Sequence, residues 1–417
     1  MAKPAPEDPF AAKDALFGVG AMRDPHPRLH EMRSQCPVHP GSMSGQFGMV
    51  GPDNFIEPDE SKHVTVVGFD EIQEGFRDPD RFSNRWYHVP LGATIGRTIL
   101  EMDPPEHYQF RLLLQGAFTK KEMDRWEREF VRDIVRLYLL PLVSKGRADL
   151  AKEFAFHYPI TVTAVAGGLP VDDVPTFYEQ AALLTNVSVS EEVRLRAAHD
   201  LGEMVQVLID ERRREPKGDL IGLLVQGEFK NPDSPDHKKL TDEEVKAFMR
   251  LLVPAGAQTT YRSLTNILFG LLSNPDQLAA VYADRLLIPL AIEEGLRWEA
   301  PLLSFTRQAT VETTIGDYPI AKDTLVQLCI HAANHDPNRW DDPDRFDIFR
   351  PQLGHIAFGQ GNHICLGIHF ARMELRVALE EILDHLPNLR LDPDATDVHI
   401  TGLGSRAAIS LPCVWDV

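Results

Sequence analysis

Between Phe358 and Gly367 the chain reads Phe-Gly-Gln-Gly-Asn-His-Ile-Cys-Leu-Gly, a glycine-rich loop that delivers one cysteine to the start of a helix predicted over 368–385. Gly359, Gly361 and Gly367 can take backbone angles closed to other residues, so the loop can press closely against a flat partner. Cys365 then stands where backbone N–H groups and the helix dipole favour negative charge, and its thiol pKa is expected to fall toward the thiolate. Taken alone, Cys365 reads equally well as a small buried apolar residue. The ten residues together favour ligation. A buried thiolate on a glycine-lined loop suits the axial position on haem iron, with N–H groups aimed at the sulfur tuning its potential.

The remaining composition narrows the setting. Lys+Arg 43 against Asp+Glu 62 leaves a net charge of −19, which argues against a nucleic-acid partner. With 43% hydrophobic residues the chain can bury a large core. Four cysteines, at 36, 329, 365 and 413, make no disulfide framework and point to a reducing compartment. The first twenty residues hold three prolines and several charges, with no apolar run of signal-peptide or membrane-span length. The expectation is a cytoplasmic protein with no membrane partner and a loose segment over 1–20.

In chain order, a helix is expected over 25–36, a strand over 63–67 and a short helix ending near 78. Residues 85–100 mix aromatics and glycine without periodicity, as functional loops often do. Asp103-Pro104-Pro105-Glu106 is a helix start with an Asp N-cap, and His107 and Arg111 share a face of that helix. An Arg fork matches a carboxylate, and haem carries two propionates. Residues 120–236 read as helical, with breaks near 145, 167 and 217. Thr241-Asp242-Glu243-Glu244 is a capping box opening a helix to about 273. Pro254 and Gly256 interrupt its middle, and Thr259 and Thr260 can bond back to carbonyls four residues earlier, which favours a local widening. Leu302–Arg307 reads as a strand, and 315–320 with 324–330 as a hairpin-like pair. The histidines at 331, 335, 363, 369 and 385 lack the paired-ligand spacing of a zinc site.

The cysteine loop matches the haem-ligand loop of the cytochrome P450 family in its common bacterial form, Phe-Gly-x-Gly-x-His-x-Cys-Leu-Gly, at every specified position. The resemblance runs from about Val64 to the C-terminus, with three further motifs in the family's order. Asp103 to Arg111 resembles the segment whose His107 and Arg111 hold haem propionates. Ala255-Gly256-Ala257-Gln258-Thr259 resembles the oxygen-binding segment: Thr259 maps onto its alcohol, while Gln258 occupies the place of an acid and cannot ionise. Glu294 and Arg297 resemble the start of a network that supports the cysteine loop, with Arg345 as third member and Arg350 as competitor. The resemblance also implies Arg307 and His355 as propionate contacts, and Phe358, Gly359, Cys365 and Gly367 as the haem cradle with Cys365 as iron ligand.

The implied fold is a single domain over 21–417, mainly α with a smaller β-rich region, that holds haem b between the long helix and the cysteine loop. The implied activity is insertion of one oxygen atom from O2 into a small hydrophobic substrate, by hydroxylation or epoxidation. Electrons would come from NAD(P)H through a reductase and a ferredoxin, docking on Arg111, Lys120, Lys121, Arg350 and Arg372. Candidate substrate contacts are Leu252, Ala255 and Gly256, then Leu303 and Phe305, then Trp86, Tyr87, Val89 and Leu91. Two other readings stand beside this one: a haem-thiolate ligand sensor without turnover, suggested by Gln258, and a peroxide-driven enzyme. Thr259 speaks against both.

Overall fold

The β-branched run after residue 62 becomes an interior strand of the larger sheet in the computed structural model, which describes residues 19–185, 189–230 and 237–417. The first eighteen residues of the expected loose segment lie outside that range. In chain order the strands are β1 (Val38–Pro40), β2 (His63–Val66), β3 (Phe82–Ser83), β4 (Ser304–Ala309) and β5 (Leu325–Cys329). Their order in the sheet is β1-β2-β5-β4-β3; β2 and β5 run parallel and the other pairs antiparallel. β2 and β5 are buried along their whole length, which suits strands covered on both faces. The register sets Gln327 of β5 opposite Thr306 of β4. The hairpin expected between 315–320 and 324–330 does not form. Thr313–Ile315 pairs instead with Tyr318–Ile320 across the tight Gly316-Asp317 turn, which leaves β5 for the larger sheet.

Helices make up most of the rest. α1 (Glu106–Gly116) begins after Pro105, and Asp103 does not cap it with its side chain. The Asp103 carboxylate accepts from the Ser83 hydroxyl and from Asn84 N–H (3.2 Å), tying the helix entry to β3. α2 (Asp242–Ser273) opens on the expected capping box: Glu244 N–H donates to Thr241 Oγ1 (3.2 Å) and Thr241 N–H to Glu244 Oε2 (2.7 Å). It stays α-helical through Pro254, so the expected widening is absent. The Thr259 and Thr260 hydroxyls donate to the Ala255 and Gly256 carbonyls (2.7 and 2.8 Å), occupying acceptors that a widened turn would leave open. Widened π turns occur elsewhere, at Glu127–Val131 and Ala151–Ala155.

α3 (Ile288–Trp298), α4 (Ile368–His385) and the helix Tyr158–Gly167 pack against α2. Leu264, Ile267 and Leu271 of α2, Ala291 of α3 and Leu379 and Ile382 of α4 have no exposed surface. Each large side chain buried there contributes roughly 1.5–3 kcal/mol. Glycines set how closely these helices approach: a Cβ on Gly295 would stand 2.3 Å from Ile267 Cγ1. The fold is mainly α with a smaller β-rich part, and among the described residues no helix is long and apolar enough to cross a membrane.

Candidate active site

A cavity of about 520 Å³ lies between α2 and the cysteine loop. Cys365 and Gly367 form one wall, Leu252, Ala255, Gly256 and Thr259 of α2 another, and Leu303 and Phe305 beside β4 a third. The loop closes on itself through Cys365 N–H donating to the Phe358 carbonyl (2.9 Å). Gly359 and Gly361 take φ near +70°, and a Cβ on Gly361 would reach 2.3 Å from the Phe76 carbonyl oxygen, so only glycine fits. Gly367 needs no such angle, with φ −86°. A Cβ there would meet nothing within 4 Å. The space in front of Gly367 is the cavity, with room for the face of a flat ligand.

Burial raises the Cys365 pKa, and the Gly367 N–H with the Arg111 and Arg372 charges pulls against it without winning. The expected drop is reversed, because desolvation of the anion outweighs those attractions. A bound metal cation is what would replace the thiol proton.

One end of the cavity is basic and short of acceptors. The rings of His107 on α1 and His363 in the loop lie 4.1 Å apart, both side chains face the cavity, and Nε2 of each is buried without a hydrogen-bond partner. Burial lowers the His107 pKa to about 4, with Arg111 adding to it. Burial lowers His363 to about 2, with His107, Arg307 and Arg111 adding to it. Arg111 donates to the Ile364 carbonyl (2.6 Å). Arg307 is buried under the Phe76 ring, donates to the Thr306 carbonyl (3.0 Å), and has no carboxylate partner among the described residues. Arg111 and Arg307 carry charge with no carboxylate partner among the described residues. The two histidines, kept neutral by burial, leave Nε2 unpaired, so the cluster is costly unless a ligand brings negatively charged acceptors. The two propionates of haem would do so, and the thiol and the open face at Gly367 fit the same group.

His355 does not join them. Its Nε2 lies 3.1 Å from Glu293 Oε2 and its Nδ1 accepts from Ala357 N–H (3.2 Å), so both ring nitrogens are engaged outside the cavity. The histidine that does face the cavity is His363, two residues before Cys365, inside the very motif that marks the loop.

On α2, Gln258 does not line the cavity whereas Thr259 does. Glu374 of α4 lines it as well, at 1% exposure, with Oε1 lacking a partner. Burial pushes its pKa well above the usual carboxylate range, opposed by the neighbouring Thr260 hydroxyl. Glu374 belongs to none of the four motifs, although an acid among Phe370, Met373, Leu375 and Val377 is a signal.

Of the four candidates between residues 86 and 91, only Tyr87 reaches the cavity. Trp86 is buried in the core, Val89 is 58% exposed and Leu91 packs on the core edge, so the two short helical turns from Arg85 to Leu91 present one of these four side chains to the cavity. Met43, Met49, Val50 and Asp53, none of them anticipated, line the same side.

Behind the loop, Glu294 accepts from Arg297 through two nitrogens (both 2.8 Å) and from Asp347 N–H (2.8 Å). The third basic member is Arg350, whose Nε lies 3.4 Å from Glu294 Oε1. Arg345 points outward to Asp347 and contributes only its carbonyl, which accepts from both Arg297 and Arg350. Asn334, whose carbonyl accepts from Arg297, also accepts the loop's Ile356 N–H (2.9 Å) and links the network to the cysteine segment. The expected docking patch shrinks accordingly. Arg350 is buried, Arg372 is paired with Glu293 (2.7 and 2.6 Å) and Lys120 with Asp124.

His331 and His335 do cluster, together with His26 from the N-terminal helix, their nearest ligand atoms within 4.8 Å. The rings are stacked (His26 to His335, 3.9 Å and 21°), so their in-plane lone pairs cannot converge on one ion. His335 already engages Asp344 and the Trp298 carbonyl.

Residues 191–400 match the family model described as Cytochrome P450. The cytochrome P450 monooxygenase PikC of Streptomyces venezuelae is 34% identical over 398 residues, covering 91% of this chain and 89% of the relative. The vitamin D(3) 25-hydroxylase of Pseudonocardia autotrophica is 30% identical, covering 90% of each. The solved structure of cytochrome P450 CYP109Q5 from Chondromyces apiculatus superposes with a TM-score of 0.83 at 28% identity, over 96% of this chain and 98% of that one. By sequence, by fold and by the loop that carries Cys365, this chain belongs to the cytochrome P450 family.

Proposed function

We propose that this chain is a haem-thiolate monooxygenase that inserts one oxygen atom from O2 into a C–H bond or double bond of a hydrophobic organic molecule, with electrons from a ferredoxin-type donor. The observation that carries the proposal is one cavity in which a single cysteine, Arg111 and two histidines with buried, unpartnered Nε2 atoms face an apolar wall, with the buried Arg307 within electrostatic reach of His363. Haem with a thiolate ligand would supply the oxygen chemistry, since sulfur pushes electron density onto iron and favours O–O cleavage. Cys365 would be the ligand, and His107, Arg111, Arg307 and His363 would hold the propionates. The Thr259 hydroxyl and the protonated Glu374 carboxyl hold protons at the α2 wall, where Gln258 cannot. Leu252, Leu303 and Phe305 position the substrate and exclude water. Relatives whose names include vitamin D(3) and whose solved complexes contain testosterone support a bulky apolar substrate class. The donor docks on the cysteine side, with Lys121 and the half-buried Arg111 as the remaining basic contacts.

The test is spectroscopic first. Reduced under carbon monoxide, the haem-loaded protein should show the red-shifted band of sulfur-bound haem, and Cys365→Ser should abolish both band and turnover. Supplied with ferredoxin, reductase and NAD(P)H, it should hydroxylate members of a panel of bulky hydrophobic compounds. Tight binding with no product from any of them would favour the sensor reading that Gln258 suggests.

A further inference from the structure

The substrate side of the cavity carries one carboxylate that the oxygen chemistry does not use. Asp53 lies in the first turn of the short helix Pro52–Ile56 and lines the cavity among Met43, Met49 and Val50. Its Oδ2 accepts from Thr306 Oγ1 (3.0 Å) and from Gln327 Nε2 (2.7 Å), the two residues set opposite each other by the β4–β5 register. The Gln327 amide is itself oriented, because its Oε1 accepts from Met43 N–H, which turns the NH2 toward Asp53. Both donors go to Oδ2. Among the described residues no Lys, Arg or His pairs with Asp53, and Arg307, on the other face of β4, is turned to the Thr306 carbonyl. Tyr87, also facing the cavity, lies within reach of the Arg307 charge and, more weakly, of the Asp53 charge.

A fixed carboxylate without a counter-ion, set in an apolar wall, selects for a cation and against an anion. The Tyr87 side chain lining the same cavity offers an aromatic face to an alkylammonium. We infer that Asp53 anchors a positively charged group of the substrate: a hydrophobic molecule bearing an aliphatic ammonium, seated on Asp53, with its apolar skeleton along Leu303 and Phe305 toward Cys365. This rests on the monooxygenase reading and names the substrate class of the same site. Fatty-acid carboxylates are disfavoured there by like charge.

The experiment uses the haem-loaded full chain and three probes of equal chain length: decyltrimethylammonium, decanol and decanoate. The quaternary nitrogen has no lone pair and cannot ligate iron. Affinities are read at low salt by the change in haem absorbance and by calorimetry. The ammonium should bind tightest and the carboxylate weakest, and Asp53→Asn should weaken the ammonium by about ten-fold while leaving decanol within about two-fold. Should D53N lose haem or fold poorly, the wild-type series decides alone: an ammonium that binds no tighter than decanol overturns the anchor. So does an ammonium-to-decanol ratio that D53N leaves unchanged. Absence of the thiolate-type carbon monoxide band in folded wild-type protein would instead refute the monooxygenase reading, and the anchor with it.

Discussion

Behind the cysteine loop, Glu294 receives two nitrogens of Arg297 and one of Arg350, and Glu293 receives Arg372 and His355. In front of the loop, His107, Arg307 and Glu374 are buried just as deeply, and none of them has an ion-pair partner among the described residues. Desolvating a charge costs several kcal/mol, and behind the loop the protein supplies the opposite charge, whereas in front burial keeps His107 and Glu374 neutral and leaves Arg307 as a buried charge without a carboxylate partner. The rear of the loop is therefore complete as folded. The front holds unmet demand for an anion at one end, a neutral acid at the α2 wall, and a thiol whose deprotonation burial opposes. This difference separates residues that build the site from residues that wait for a ligand.

Substitutions on the two sides should behave differently. Glu294→Gln leaves Arg297 and Arg350 buried without their counter-charge and should cost about 3–5 kcal/mol, read as a fall in the urea midpoint. An unchanged midpoint would erase the contrast. His363→Leu should speed haem loss to apomyoglobin by roughly 10–100-fold, whereas His355→Leu, on the rear side, should leave haem loss nearly unchanged. The reverse order would restore His355 as the propionate contact.

Glu293, on the rear side, gives the contrast a pH dependence. Burial raises its pKa, but hydrogen bonds from His355 and Arg372 outweigh that and hold it at about 2 against an ordinary 4.5. Because the folded value lies below the unfolded one, its stabilisation is full above about pH 4.5 and is lost as pH falls toward 2. Glu293→Gln should flatten this acid limb in a series of denaturation curves. Smallest of all should be Glu374→Gln: a carboxyl already neutral exchanges for a neutral amide, so stability should move by no more than about 1 kcal/mol. A loss as large as that of Glu294→Gln would mean that Glu374 is ionised in the fold.

Part of this arrangement is legible in the residue order. The cysteine loop and the capping box are contiguous, and contiguous signals survive folding: α4 spans 368–385 and α2 runs to 273 as the residues suggest. His363 is legible too, sitting in the motif itself, yet the family resemblance points to His355 in its place. Spacing cannot decide Arg350 over Arg345, because both stand in the same turn-rich meander and differ only in which way the side chain leaves the backbone. Asp53 leaves no trace at all. Its donors come from β4 and β5, more than two hundred and fifty positions away.

What the amino-acid order alone determined is therefore the cysteine loop, the helices on either side of the cavity, and with them the family. Which histidine faces the cavity, which arginine completes the Glu294 network and which acids line the cavity were decided only by the tertiary structure. The physical reason is that a motif specifies backbone conformation locally, while a buried charge is satisfied or left open by groups that strand register and helix packing bring from remote parts of the chain.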